Sequence, residues 1–99
     1  MKIIKKFVET IEEELEGAKE YAEKYVENKV NNNMQAAARY KEMAYDELKH
    51  ASYEHEFAVN EIDKLSKVYT PPEEMMEVWK KAHRQYVERA AWIKQMLEM

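Results

Sequence analysis

Cysteine is absent from this 99-residue sequence, and glycine and proline are scarce, with one and two residues respectively. The lack of cysteine excludes any thiolate-ligated metal centre. The lack of turn-forming residues argues against a sheet protein, because chains built from short strands need many tight turns. The sequence is rich in Glu, Lys, Ala and Met, and 36% of its residues are charged. This composition predicts a single all-α domain over residues 1–99, with a modest core.

Long hydrophobic runs and an excess of basic charge are also missing. No stretch approaches the ~18 apolar residues of a membrane-spanning helix, and the N-terminal sequence MKIIKKFVETIEEE has no signal-peptide core. The formal net charge is −4 and Lys is interspersed with Glu, so no basic surface for nucleic acid is predicted. We therefore expect a cytoplasmic protein with neither a membrane nor a nucleic acid as its partner.

Apolar residues recur at steps of three and four along three stretches, the pattern of amphipathic helices. The sequence predicts three long helices, at about 3–28, 34–68 and 71–98. Asn33 is the expected N-cap of the second helix. Thr70 and Glu73 are expected to form a capping box at the start of the third, with Pro71 at its first helical position.

The apolar stripes predict how these helices pack. The first helix carries one stripe: Ile4, Val8, Ile11, Leu15, Ala18, Ala22 and Tyr25. The second carries two: Ala37, Tyr40, Ala44, Ala51, Ala58 and Leu65, and Met34, Ala38, Tyr45, Leu48, Val59 and Ile62. The third carries one: Met76, Trp79, His83, Tyr86, Ala90, Ile93 and Leu97. Short connections favour antiparallel helices in up-down-up order, and the two stripes of the second helix predict self-association.

Two carboxylates and one imidazole interrupt these apolar surroundings. The helical neighbours of both carboxylates are apolar or aromatic: Phe7, Ile11, Ala18 and Tyr21 around Glu14, and Tyr40, Met43, Ala44 and Ala51 around Glu47. His50 follows Glu47 by one turn, in the segment YDELKHA. Burying an unpaired carboxylate is costly, so each one needs a cation, a proton or a set of hydrogen-bond donors.

The two carboxylates are also predicted to lie at the same height in the bundle. Glu14 precedes the end of the first helix near Asn28 by 14 residues, or ~21 Å at ~1.5 Å per residue. Glu47 follows Met34 by 13 residues, or ~20 Å. Across a short antiparallel hairpin the two therefore arrive at one level, where His50 makes the third member of a candidate metal-ligand set.

Other polar residues fit this cluster less well. His83 is expected about seven residues, or ~10 Å, from the level of His50, as a hydrogen-bonded core residue. His55 lies roughly 140° around the helix from His50 and is expected to face elsewhere. Glu54, one turn beyond His50, could reach the site as an outer ligand or as the partner of an imidazole nitrogen. Tyr21 is expected to contribute packing, and a place in the outer shell of the site is the alternative.

The segments EELEGAKEY (13–21) and MAYDELKHA (43–51) together resemble one half of the ferritin-like superfamily, in particular rubrerythrins and encapsulated ferritins. In those proteins a Glu, followed seven residues later by a Tyr, pairs with a Glu-x-x-His-Ala segment on the next helix. The resemblance covers about residues 7–60 and implies a ferritin-like four-helix-bundle core. It implies that Glu14 is a bridging or terminal ligand, Glu47 a bridging carboxylate and His50 a terminal imidazole, with Tyr21 beside the site.

One chain supplies only half of such a ligand set. A di-iron carboxylate site takes one Glu from each of two helices and a Glu-x-x-His from each of the other two. A two-fold homodimer would supply four Glu and two His, so we expect a homodimer or higher oligomer. Imidazole with carboxylate suits iron, the expected cofactor, and also Mn or Zn. The resemblance implies either ferroxidase-type oxidation of Fe(II) by O₂ or peroxide, or the scavenging of peroxide, although the sequence leaves open whether there is turnover.

A second interpretation needs no metal. Glu14, Glu47 and His50 can instead form a buried hydrogen-bonded network in a degenerate ferritin-like fold. Such a chain would be a helical interaction or adaptor protein, for example of viral or mobile-element origin. The third helix favours this hypothesis, because it adds aromatic residues but no metal ligand.

Overall fold

The computed structural model describes residues 2–99 and contains three helices: α1 (Lys2–Val30), α2 (Met34–Val68) and α3 (Glu73–Leu97). No strand occurs within those residues. The all-α, three-helix prediction is confirmed, and the helix bounds agree with the sequence pattern to within two residues. No helix in this part of the chain combines the length and the apolar character needed to cross a membrane.

The turn between α1 and α2 is formed by three asparagines. Asn32 adopts a positive φ of 59°, a left-handed conformation that asparagine tolerates better than most residues. Asn33 is the residue that caps α2 by position, as predicted, but its side chain makes no capping hydrogen bond. The side-chain amide nitrogen of Asn33 donates instead to the side-chain oxygen of Asn28, at 3.1 Å. The side chain of Asn33 therefore bonds the last turn of α1 and not the first turn of α2.

The predicted start of α3 is wrong by two residues. The capping residue is Pro72 rather than Thr70, no side-chain cap is formed, and the helix begins at Glu73. The physical reason is the pair of prolines, because Pro72 disfavours a helical conformation at Pro71. The first helical hydrogen bond there runs from the Met76 amide to the Pro72 carbonyl, at 3.2 Å.

The helices run in up-down-up order, with α1 and α2 packed along most of their lengths and α3 packed mainly on α1. Contacts along α3 fix its direction. Arg89 donates to Glu16 at 3.1 Å, and Lys29 near the end of α1 reaches the carbonyl of Met99. The result is a rod of 55 × 18 × 17 Å, in which α2 and α3 meet at only a few points.

Small residues bring α1 and α2 close together. Ala18 and Ala22 on α1, and Ala44, Ala51 and Ala58 on α2, have no exposed surface. The largest side chains that are almost fully buried all lie on α1 and α3: Ile4, Leu15, Met75, Ile93 and Leu97. Burying each such side chain stabilises the fold by about 1.5–3 kcal/mol. The core therefore centres on α1, which is the helix that both others contact.

Two of the predicted stripes need correction. On α3 the residue buried at the start is Met75 rather than Met76, and His83 is exposed rather than in the core. On the second stripe of α2, Met34 and Ala38 are exposed. Both differences have one cause: α3 lies against α1 and hardly covers α2.

Candidate metal centre

Three predicted residues come together on the face of the α1–α2 hairpin. Nδ1 of His50 lies 3.8 Å from Oε2 of Glu14 and 3.9 Å from Oε1 of Glu47. One possible ligand atom from each residue lies within 4.8 Å of the others. Glu14 comes from α1 and the other two from α2, so the hairpin assembles the cluster. The equal heights inferred from the sequence account for this meeting.

A glycine makes room for one of the carboxylates. Gly17 lies one turn after Glu14, and a β-carbon at this position would be 3.0 Å from Oε2 of Glu47. Glycine inside a helix costs roughly 0.5–1 kcal/mol relative to alanine. This is the only glycine of the chain, and it stands where Glu47 crosses α1. Sequence reasoning missed Gly17, although an isolated glycine one turn from a candidate ligand was a usable signal.

The carboxylate of Glu14 lacks the hydrogen bonds that its burial demands. Its Oε2 is buried and has no hydrogen-bond partner within residues 2–99. Burial raises the pKa of Glu14; the nearby His50 lowers it, and the charges of Glu47 and Glu54 raise it further. Desolvation and neighbouring negative charge therefore both disfavour the ionised form. A cation at this place would reverse both effects.

The three side chains of the cluster differ in their exposure to solvent. The side chains of Glu14, Glu47 and His50 are 19%, 28% and 55% exposed. Met43 and Phe57, seven residues before and after His50, share its face of α2 and are also exposed. The site therefore has its carboxylates inside and its imidazole at the surface, between two exposed apolar side chains.

The third helix lies on the opposite side of the hairpin from this cluster. Two hydrogen-bonding contacts run from α2 toward this helix: Tyr45 donates to Glu98, the residue after the end of α3, at 2.7 Å, and His55 lies 2.7 Å from His83. Tyr45 and His55 stand five residues before and after His50, so each points roughly 140° away from it. The face of α2 that carries His50 is consequently left uncovered by α3.

The spacing of the three residues fits a metal better than a hydrogen-bond network. A hydrogen bond between nitrogen and oxygen needs about 2.7–3.2 Å, so separations of 3.8 and 3.9 Å are too long. Bonds from a metal to carboxylate or imidazole measure about 2.0–2.2 Å, so two ligands of one ion can stand up to about 4.4 Å apart. Carboxylate oxygens with imidazole nitrogen are donors that suit Fe, Mn or Zn. The residues present could therefore hold a divalent ion of this kind.

The remaining predicted residues lie outside the cluster. Glu54 is near enough for its charge to raise the pKa of Glu14, but it makes no hydrogen bond to the three within residues 2–99. Tyr21 stacks on Tyr40, with ring centres 6.3 Å apart, which is the packing role expected of it. His83 contacts His55 and does not join the cluster.

Comparison of the chain with protein-family models, with curated proteins and with solved structures gives no match.

Proposed function

We propose that this chain is a ferritin-like metal-binding protein in which Glu14, Glu47 and His50 hold a divalent metal, and that two copies together form a di-metal carboxylate site. The observation that carries the proposal is the buried, unpartnered Oε2 of Glu14. It lies 3.8 Å from Nδ1 of His50, which is too long for a hydrogen bond, and Oε1 of Glu47 lies 3.9 Å from the same nitrogen. A divalent ion would neutralise the two carboxylates, which removes the cost of burying them together.

The homodimer follows from what one chain lacks. A single copy offers two carboxylates and one imidazole, half the ligands of a ferritin-like di-metal site. The face that bears His50 is not covered by α3 and carries exposed Met43 and Phe57. A second copy, packed across a two-fold axis on this face, would complete the ligand set and cover the two apolar side chains.

Each residue has a distinct role in this proposal. The carboxylates of Glu14 and Glu47 supply the negative charge, and Glu47 can approach α1 because Gly17 has no β-carbon. His50 supplies a neutral nitrogen from the exposed side, where an ion would enter. With iron bound, the centre would supply ferroxidase-type chemistry, the oxidation of Fe(II) by O₂ or peroxide.

The alternative, an interaction or adaptor protein with a metal-free polar network, receives less support from the geometry. Such a network is stabilised by hydrogen bonds, and a buried carboxylate left without one is destabilising. The exposed Trp92 on α3 is the feature that favours it. A bound partner on α3 is compatible with a metal in the hairpin, because the two surfaces lie on different helices.

Metal content and molecular mass, measured on one sample, test this proposal. Protein purified without chelator should contain about one divalent ion per chain and elute as a dimer or larger assembly. Glu13→Gln is a matched control for Glu14→Gln, because Glu13 is the exposed neighbour of Glu14 on α1. The control should keep the metal and Glu14→Gln should lose it. Metal-free wild type that takes up no Fe(II), Mn(II) or Zn(II) would contradict the proposal.

A further inference from the structure

Two histidines meet where α2 and α3 approach each other. Nε2 of His55 lies 2.7 Å from Nδ1 of His83, a hydrogen-bond distance, and the two ring centres are 4.9 Å apart. Tyr86 stacks on His55 with ring centres 4.6 Å apart and an interplanar angle of 19°. The ring centres of Trp79 and His55 are 5.2 Å apart. His55 is therefore held by three aromatic rings of α3.

A hydrogen bond between two imidazoles depends on their protonation. One ring must donate an N–H and the other must accept with a bare nitrogen, so at least one ring is neutral. If both rings are protonated, both facing nitrogens carry hydrogen and positive charge. The contact then changes from attractive to repulsive, because no acceptor is left and like charges oppose each other.

This pair is one of few connections between α2 and α3. Within residues 2–99, the other side-chain hydrogen bond from α2 toward this helix joins Tyr45 to Glu98, the residue that follows the end of α3. Near the N-terminal half of α3, the pair and the rings around it link the helix to α2. Weakening the pair should therefore act on that half of α3 in particular.

Charged side chains of α2 and α3 lie near the pair. On α3, the side chains lining the same cavity as His83 include Lys80, Arg84 and Glu88. On α2, Glu54 and Glu56 adjoin His55 in sequence, but His83 is the one charged group that shifts the pKa of His55. Within residues 2–99, no charged side chain of α1 adds an effect on that pKa.

We propose that His55 and His83 form an acid-sensitive latch, which holds the N-terminal half of α3 against α2 while one ring is neutral and releases it when both are protonated. Burial and the charge of His83 lower the pKa of His55 in the folded protein below its ordinary value of 6.5. The unfolded chain thus takes up this proton first. The stabilisation is complete above pH 6.5 and is lost as the pH falls through the lower, folded pKa.

A double-mutant cycle in the presence of chelator tests the latch apart from any metal. At pH 8, His83→Ala should lower the Tm by about 4–8 °C, the shift expected from losing one ordinary hydrogen bond in a domain of this size. In the His55→Ala background the same change should have little effect. At pH 5, His83→Ala should leave the Tm equal to or above that of the wild type. An equal loss at both pH values would overturn the proposal.

Trp79 gives a local readout of the release. The chain has two tryptophans, so Trp92→Phe leaves Trp79 as the only one, beside both histidines. Its fluorescence should change between pH 7 and pH 5, and amide exchange over residues 73–86 should accelerate more than over 87–97. His83→Gln, which cannot take a charge, should suppress both changes. Persistence of both in His83→Gln would also overturn the proposal.

Discussion

The carboxylate of Glu47 occupies the space beside Gly17 that a side chain would fill, with Oε2 3.0 Å from the position of a β-carbon there. The helix carries its single glycine at a position where alanine has the higher intrinsic helix propensity. The absence of a β-carbon leaves the space in which Glu47 lies near Glu14. Glycine at this position therefore makes room for Glu47 beside Glu14, and it lowers the stability of α1 relative to alanine.

Gly17→Ala should separate these two effects. With chelator present, we expect the variant to gain up to about 1 kcal/mol, because alanine favours the helix and the partly exposed Glu47 can swing away. The rise in Tm on adding Mn(II) should shrink or vanish, since Glu47 no longer faces Glu14. The same change in a Glu47→Ala background should give the gain without any metal effect. Unaltered metal binding by Gly17→Ala would show that the site does not need a glycine at this position.

His50 and His83 should differ in their importance for metal. His50→Ala removes one of the three proposed ligands, so the affinity should fall by more than the ~10–100-fold typical of a residue that only supports a ligand. His83→Gln alters a residue that contacts His55 on α3, and it should retain wild-type affinity. Competition with a chromogenic chelator at pH 7.5 measures both. Equal losses at the two positions would mean that the hairpin does not hold the ion.

Phe57 should be needed for the dimer but not for the fold. It is 52% exposed on the face of α2 that also carries His50, so Phe57→Glu places a charge in the proposed interface without disturbing the core. Light scattering at micromolar concentration with Mn(II) should give a dimer for the wild type and a monomer for the variant. Val87→Glu, on the exposed side of α3, is the matched control and should remain dimeric. A monomeric wild type would contradict the shared site.

The stability of the metal-free protein should depend on pH through Glu14. Burial raises the pKa of this carboxyl in the folded state above its ordinary value of 4.5, so the folded chain binds the proton more readily than the unfolded chain. The resulting cost is full above the folded pKa and disappears below pH 4.5. Glu14→Gln should therefore be more stable than wild type at pH 7 with chelator, with a difference that closes toward pH 4.5. Thermal melts over this range, with Glu13→Gln as the control, check the sign.

Much of this architecture could be predicted from local patterns. Helical periodicity gives the three helices, and counting residues from the Asn31–Asn33 turn places Glu14 opposite Glu47, because rise per residue is constant along a helix. The role of Gly17 could not be predicted in this way, since it depends on how closely α2 crosses α1. The contact of His55 with His83 was also missed. This contact depends on how α3 packs between α1 and α2, and the apolar stripe of α3 does not determine that packing.

Thermal melting of wild type, Glu14→Ala and Glu13→Ala, first with chelator and then with Fe(II), Mn(II) or Zn(II), tests the proposed metal site most directly. A metal that binds only the folded state adds about 2.7 kcal/mol at a concentration of 100 Kd, equivalent to about 10 °C or more in a domain of this size. We predict that rise for wild type and Glu13→Ala and none for Glu14→Ala. With chelator, Glu14→Ala should melt no lower than wild type, since it removes an unpaired buried carboxylate. A wild-type Tm indifferent to all three metals, together with a destabilised Glu14→Ala, would contradict the metal site and favour the polar network.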